Sequence, residues 1–205
     1  MSSSKMNEYM KGNLVGIVQT VVGFPFDSWK IYKQTQNNLS KTIINFKGLK
    51  YPLFSNVISN SLFFGNCEQI KDDFMYGVKI GFLSGLLINP FEVLKIRAQL
   101  NVVVIHQHKG LWKGLLTTTL REMIAVPIYF QSYNFLRSSS YDLPVWLAGG
   151  LAGMSSWLAV FPIDTYKSCL QSSSLFYFKN CFSGMGITLL RAFIVNSIGF
   201  WIYEK

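Results

Sequence analysis

The stretch GFPFDSWKIYKQTQ, residues 23–36, closes an uncharged run with a proline and then turns to charged and amide side chains. Pro25 is followed by Asp27, Lys30 and Gln34. The same spacing recurs in INPFEVLKIRAQL, residues 88–100, and in VFPIDTYKSCLQ, residues 160–171. Because an acid, a lysine and a glutamine keep one register after each proline, we predict that the chain is built from an internal repeat.

The repeat extends on both sides of the proline. Two glycines spaced as GxxxG precede each proline, and they are Gly12, Gly16, Gly77, Gly81, Gly149 and Gly153. An aromatic-x-glycine follows later in each copy, and the same offset beyond its glycine leads to Glu68, Asn134 and Glu204. We predict one domain, 1–205, made of helix-loop-helix repeats at about 8–72, 73–139 and 140–205. GxxxG permits close helix packing in membranes.

Composition assigns the chain to the membrane proteins. Half of the residues are hydrophobic and 14% are charged, and six apolar runs approach the length of a membrane span. These runs cover residues 12–26, 51–67, 74–89, 115–136, 143–163 and 181–203. We predict an all-α membrane protein with six transmembrane helices in three pseudo-symmetric two-helix repeats. The formal charge of +9 is spread along the chain, which favours anionic lipids or an anionic substrate over nucleic acid.

The acid and the lysine of each copy share one helix face. For a single copy, a solvated pair at a helix end is the simpler interpretation. Three copies in one register favour a ring in which the acid of one repeat pairs with the lysine of the next, because charges near membrane depth are costly.

The motif Pro-x-[Asp/Glu]-x-x-[Lys/Arg], present three times with aromatic-[Lys/Arg]-Gly after it, resembles the mitochondrial carrier family. WLAVFPIDTYKSCLQ at 157–171, VGFPFDSWK at 22–30, TTLRE at 118–122 and LFSNVISNSLFF at 53–64 are most similar to its ornithine branch, with the carnitine/acylcarnitine carriers next. The resemblance implies a multi-pass protein of the mitochondrial inner membrane. It also implies alternating access of a small substrate to a central site between two salt-bridge gates. We expect a monomer without a cofactor.

The gates carried over from this resemblance fall on named residues. The matrix gate would pair Asp27 with Lys95, Glu92 with Lys167, and Asp164 with Lys30. Its braces would be Gln34, Gln99 and Gln171. The cytoplasmic gate would use Glu68, Lys71, Arg137 and Glu204, with Glu68 meeting Arg137 and Glu204 meeting Lys71. Asn134 replaces the third acid, so we expect a weaker gate at that end.

Lipid sites are also implied by the resemblance. Phosphate of cardiolipin would bind at the aromatic-Lys-Gly motifs, where a helix N-terminus offers backbone donors. Two motifs fit, and they provide Lys47 with Gly48 and Lys113 with Gly114. Ser183 replaces the basic residue in the third copy. The repeats are also short for the family, which predicts trimmed loops.

The family's cavity-facing positions hold Ser55 beside Asn56, Arg121 beside Glu122, and Arg191. An ionised side chain inside an apolar run indicates a functional site, although Arg191 could instead snorkel to the interface. Resemblance to the ornithine carriers implies that Glu122 binds an amino group and the two arginines a carboxylate. Adjacent helical residues point about 100 degrees apart, so we expect Arg121 and Glu122 to pair poorly with each other.

The substrate predicted from these residues is a basic amino acid such as ornithine, or a carnitine-type zwitterion. A nucleotide exchanger is an alternative, because two cavity arginines suit phosphate, but Glu122 disfavours a polyanion. A second alternative is a carrier-fold scaffold that transports nothing, which Asn134 and Ser183 would suit. An enzyme is disfavoured, since the sequence contains no nucleophile elbow or phosphate loop. His106 and His108 lack neighbouring ligands, so we predict no metal site.

Overall fold

The computed structural model describes residues 3–35, 49–99, 110–138, 142–172, 182 and 184–203. Backbone alone is described at 3–9, 28–35, 96, 97, 99, 171 and 172. The described part is all-helical and contains seven helices, without strands. They are α1 (Ser3–Thr35), α2 (Lys50–Gly65), α3 (Cys67–Asp72), α4 (Phe74–Gln99), α5 (Leu115–Arg137), α6 (Val145–Ser172) and α7 (Met185–Tyr203).

Neighbouring long helices pack around a closed ring. Contacts run from α1 to α2, α2 to α4, α4 to α5, α5 to α6, α6 to α7 and α7 back to α1. The short α3 lies against α4 and α5. Three helices contain segments long and apolar enough to cross a membrane, namely Phe74–Lys95, Val145–Leu170 and Met185–Tyr203. The helical prediction is thus confirmed for the described part, and three spans are supported by length and composition.

The second apolar run differs from its predicted form. The sequence predicts one helix across 51–67, whereas α2 ends at Gly65 and α3 begins at Cys67. Asn66 lies between them with φ −126° and ψ 17°, outside the helical region. Its side chain donates to Leu62 O at 2.8 Å and accepts from the Tyr76 hydroxyl at 3.0 Å. Asn66 thus fixes the break by linking α2 to α4.

The GxxxG glycines lie where two helices of one repeat touch. A Cβ built on Gly12 would lie 2.7 Å from Asn60 O, and one on Gly16 would lie 2.8 Å from Asn56 O. Gly81 meets the Glu122 carbonyl group of α5 in the same way, and Gly77 meets Pro127. Gly149 and Gly153 instead face the side chains of Phe200 and Asn196 on α7. The glycines therefore let α1 and α4 approach the backbone of their partner helices, and on α6 they make room for side chains of α7.

Adding a methyl group at Gly81 should test this packing. Gly81→Ala would place a Cβ against the Glu122 carbonyl group and the Met123 Cα, neither of which can move without shifting α5. We expect about 1–3 kcal/mol of destabilisation, the usual cost of overpacking, measured as a lower melting temperature of purified protein. The control is Gly186→Ala, because nothing lies within 4 Å of a Cβ there. Equal melting temperatures for the two variants would contradict close packing of α4 on α5.

Candidate functional site

A cavity of about 230 Å³ lies inside the helix ring. The second helix of each repeat lines this cavity with side chains that recur about once per helical turn. Lining residues from these helices include Ser55, Asn56, Ser59, Asn60, Phe63 and Phe64 from α2, Arg121, Glu122, Tyr129 and Phe130 from α5, and Arg191, Val195 and Asn196 from α7. All five residues predicted to bind substrate therefore line one cavity, and their binding role stays a prediction.

The first ionic cluster at this cavity is centred on Asp27 of α1. Its carboxylate forms an ion pair with Lys95 of α4, the partner expected from the repeat register. Arg191 of α7 pairs with the same carboxylate through Nε, and its terminal nitrogen lies 3.3 Å from Oδ2. The Asp27 side chain is 9% exposed. One acid thus joins three helices.

The second ionic cluster is centred on Arg121 of α5. Its guanidinium donates to Glu92 Oε1 at 3.0 Å and to Asp164 Oδ1 at 3.2 Å, and it pairs with the adjacent Glu122. Lys167 of α6 pairs with the other oxygen of Glu92, again as the register predicts. Across both clusters four cations meet four carboxylates. Such pairing is what allows charged groups to be buried.

One sequence prediction about these charges is wrong. Another concerns side chains that lie outside the described set. The expectation that Arg121 and Glu122 pair poorly is wrong, since the long arginine side chain spans the angle between adjacent helical positions. Asp164 contacts Arg121, whereas the side chain of its predicted partner Lys30 is not described. The side chains of the braces Gln34, Gln99 and Gln171 also lie outside the described set.

Neutral polar side chains line the next turns of the cavity. Asn56 Nδ2 donates to Thr20 Oγ1 at 2.9 Å, which links α2 to α1. The Tyr129 hydroxyl donates to Asn196 Oδ1 at 3.2 Å and links α5 to α7. Gln19 Nε2 lies 3.5 Å from the same oxygen. The cavity therefore changes from ionic to neutral along its helices.

An aromatic cluster follows the neutral side chains. It consists of Phe64, Phe130, Tyr133, Phe200 and Tyr203. Ring centroids of Phe64 lie 6.3 Å from Phe130 and 5.6 Å from Phe200, and Tyr133 stacks on Phe200 at 4.0 Å. The three phenylalanines are almost fully buried. Phe130 lies nine residues after Arg121, about 14 Å further along α5. Apolar side chains therefore fill the interior of the helix bundle at the end that is distant from the ionic clusters.

The residues predicted as a cytoplasmic gate do not form the expected pair here. Arg137 lies 3.3 Å from Asp142 and donates to Leu143 O at 2.9 Å, so its predicted contact with Glu68 is absent from the described residues. Glu68 is exposed on α3. The ammonium group of Lys71 lies 5.0 Å from the Tyr133 ring, and Glu204 is outside the described residues. Arg137 is held here by the nearby acid Asp142, and the gate stays a prediction.

One of the two predicted lipid motifs can be described. Gly114 precedes α5 with φ 76°, a left-handed conformation that glycine adopts at no steric cost. Lys113 N donates to Gly110 O at 3.1 Å within a tight turn, and Trp112 is exposed. Lys47 and Gly48 lie outside the described residues.

Known proteins resemble this chain along its whole length, although no family model matches it. It is 26% identical to the mitochondrial arginine transporter of Arabidopsis thaliana, over all of this chain and 91% of that protein. It is 27% identical to the mitochondrial basic amino acids transporter of Rattus norvegicus, over 94% and 86%. It is 24% identical to mitochondrial ornithine transporter 1 of Saccharomyces cerevisiae, over 96% and 93%. The chain is similar to mitochondrial carriers over nearly its whole length.

The carrier is a multi-pass protein of the mitochondrial inner membrane. Its alignment with the Arabidopsis protein runs over 271 positions, whereas the carrier has 205 residues. That relative therefore contains segments without a counterpart here. Trimmed loops are the explanation that the sequence predicts.

Two features of the carrier's cavity were missed in the sequence. Phe64, Phe130 and Phe200 each stand four positions before the predicted gate positions 68, 134 and 204, and that shared offset was a usable signal. Trp157 of α6 also lines the cavity, but its counterparts in the register are Thr20 and Gly85. No repetition marks Trp157, so only the folded chain reveals it.

Proposed function

We propose that this carrier exchanges basic amino acids, such as arginine or ornithine, across the mitochondrial inner membrane. The observation that supports this most is a carboxylate, Glu122, beside two arginines in one cavity of a chain whose relatives are named for such substrates. Glu122 would bind the amino group, and Arg121 and Arg191 the carboxylate, with Asn56 and Ser55 nearby. The protein would act as a transporter and not as an enzyme.

Exchange would couple to gating through the arginines. Arg121 contacts Glu92 and Asp164, and Arg191 contacts Asp27, and these three acids are the predicted matrix gate. A substrate carboxylate that reaches either guanidinium competes with a gate acid for the same donors. A ligand shifts a conformational equilibrium only by its differential affinity, and this competition would supply the difference that favours an open matrix side.

The opposite end would rely less on charge. Phe64, Phe130 and Phe200 would seal it by apolar contact. Glu68, Lys71, Arg137 and Glu204 would form bridges in the alternative conformation. Exposed bridges are worth about 0.2–1 kcal/mol each, so substrate binding could break them.

We extend the proposal to architecture and partners. Six helices would span the membrane, in one domain with repeats at about 8–72, 73–139 and 140–205. Gln34, Gln99 and Gln171 would brace the pairs of the matrix gate, including Asp164 with Lys30. Cardiolipin phosphate would bind at Lys47 with Gly48 and at Lys113 with Gly114, and the carrier would work as a monomer without cofactor or nucleic acid.

Purified carrier in liposomes loaded with ornithine should take up labelled ornithine, arginine or lysine. Uptake should stop when the liposomes contain no amino acid, because exchange needs a counter-substrate. Parallel liposomes loaded with nucleotide or carnitine separate the competing substrates. Uptake that requires internal nucleotide and ignores amino acids would contradict the proposal. Absence of transport with every substrate would favour the scaffold.

A further inference from the structure

Gly23 leaves a space on α1 that the guanidinium of Arg191 occupies. A Cβ built on Gly23 would lie 3.0 Å from Arg191 Nη2, 3.2 Å from Nε and 3.3 Å from Cζ. These distances are shorter than ordinary van der Waals contacts of a Cβ. Glycine inside a helix lowers stability relative to alanine. The buried glycine therefore indicates that the space beside it is used.

The atoms of Arg191 nearest to Gly23 are the nitrogens that contact Asp27. Nε pairs with one oxygen of the Asp27 carboxylate, and Nη2 lies 3.3 Å from the other oxygen. Gly23 and Asp27 are four residues apart on α1, so they lie on one helix face, one turn apart. Arg191 thus reaches Asp27 across the surface of Gly23. A side chain at residue 23 would push against the edge of the guanidinium that holds the carboxylate.

The other two repeats have larger side chains at this position. Two residues before each proline, Ile88 and Val160 take the place of Gly23, and both are buried. Val160 stands one turn before Asp164, which Arg121 contacts through a terminal nitrogen, Nη1, at 3.2 Å. The other terminal nitrogen of this arginine turns to different acids. The arginine whose acid follows a glycine therefore binds it with an edge, and the arginine whose acid follows a valine binds it with a tip.

We propose that Gly23 is a positioning residue that seats Arg191 on Asp27 and so keeps the matrix gate closed until substrate arrives. This inference rests on the proposed function, in which a substrate carboxylate takes Arg191 from Asp27. The apparent affinity for a ligand falls with the fraction of protein that is free to bind it. Because Gly23 lets Asp27 hold two nitrogens of the guanidinium, it raises the substrate concentration needed for exchange and prevents opening without substrate.

The test replaces Gly23 by alanine and measures ornithine exchange in liposomes. The added methyl group should move the guanidinium of Arg191 away from Asp27 and leave it in the cavity. We expect KM for ornithine to fall about threefold to tenfold, with little loss of maximal rate, because Asp27 competes less strongly for Arg191. Uptake into liposomes without internal amino acid should also become measurable. The control is Gly186→Ala, where a Cβ meets nothing within 4 Å, and it should behave as wild type.

A second measurement tests whether the effect passes through Arg191. Gly23→Ala should lower the melting temperature of the wild-type carrier, although alanine is the better helix former, because it loosens a buried ion pair. In an Arg191→Lys background the same substitution should raise the melting temperature. Lysine is long enough to reach Asp27, since Arg191 already binds this acid through Nε. It has no second nitrogen to lie beside residue 23.

Four results would each overturn the role of Gly23 and leave amino-acid exchange standing. They are an unchanged or higher KM in Gly23→Ala, no uptake by this variant into liposomes without amino acid, a melting temperature no lower than that of wild type, and the same shift of melting temperature in both backgrounds. Wild type that exchanges no basic amino acid would overturn the proposed function and the role of Gly23 together.

Discussion

Replacing Arg121 by leucine is expected to abolish exchange and to destabilise the carrier strongly. The guanidinium contacts Glu92, Glu122 and Asp164, and after its removal Lys167 is the cation described beside Glu92. Breaking a buried ion pair by removing one partner costs about 3–5 kcal/mol. A change of this size lowers the melting temperature by about 10 °C in a chain of this length. Exchange in liposomes and thermal unfolding in detergent measure the two effects.

Glu122→Gln is the matched variant at the neighbouring residue. It removes one carboxylate but leaves Arg121 with Glu92 and Asp164, so the melting temperature should change little. Exchange of basic amino acids should nevertheless be lost, because the amide cannot offer charge to the substrate's amino group. If Glu122→Gln exchanged ornithine at the wild-type rate, Glu122 would have no part in binding. If Arg121→Leu melted at the wild-type temperature, Arg121 would not organise the ionic clusters.

Phe130→Ala should be the most destabilising change at the aromatic end. The ring is fully buried against Phe64 and Tyr129, and truncating such a phenylalanine costs about 3–5 kcal/mol. Phe135→Ala on the same helix is the control, because Phe135 is exposed and exposed substitutions usually change stability by less than about 0.5 kcal/mol. Thermal unfolding compares the two. Similar melting temperatures would mean that the aromatic cluster contributes little to closure of the ring.

The helical repeat could be predicted because it depends on local rules. Glycines four residues apart leave a flat strip on a helix that permits close approach of another helix, and Gly12 and Gly16 indeed meet the carbonyl groups of Asn60 and Asn56. The pairs of Asp27 with Lys95 and of Glu92 with Lys167 follow from the same register. Residue spacings that recur in the sequence repeats therefore predict contacts where the helices are uninterrupted and have the same structure in each repeat.

The partners of Arg121 could not be predicted in this way. An arginine reaches far enough to choose among several acids, and the choice depends on where three helices meet. Asp142, which holds Arg137, lies in the connection after α5 and has no place in the repeat. Trp157 belongs to a single copy. These contacts involve residues that occur in one repeat and not in the others, so comparing the repeats in the sequence cannot predict them.

Asn66 has a consequence for counting along the first repeat. In α5, an unbroken helix from Leu115 to Arg137 keeps every side chain in step with Arg121. In the first repeat the helix is interrupted at Asn66, yet the count along the chain is kept. Cys67 is buried like its register counterpart Tyr133, and Glu68 is exposed like its counterpart Asn134. An interruption of one residue, fixed by the link from α2 to α4, thus leaves the inward and outward positions of the repeat unchanged beyond it.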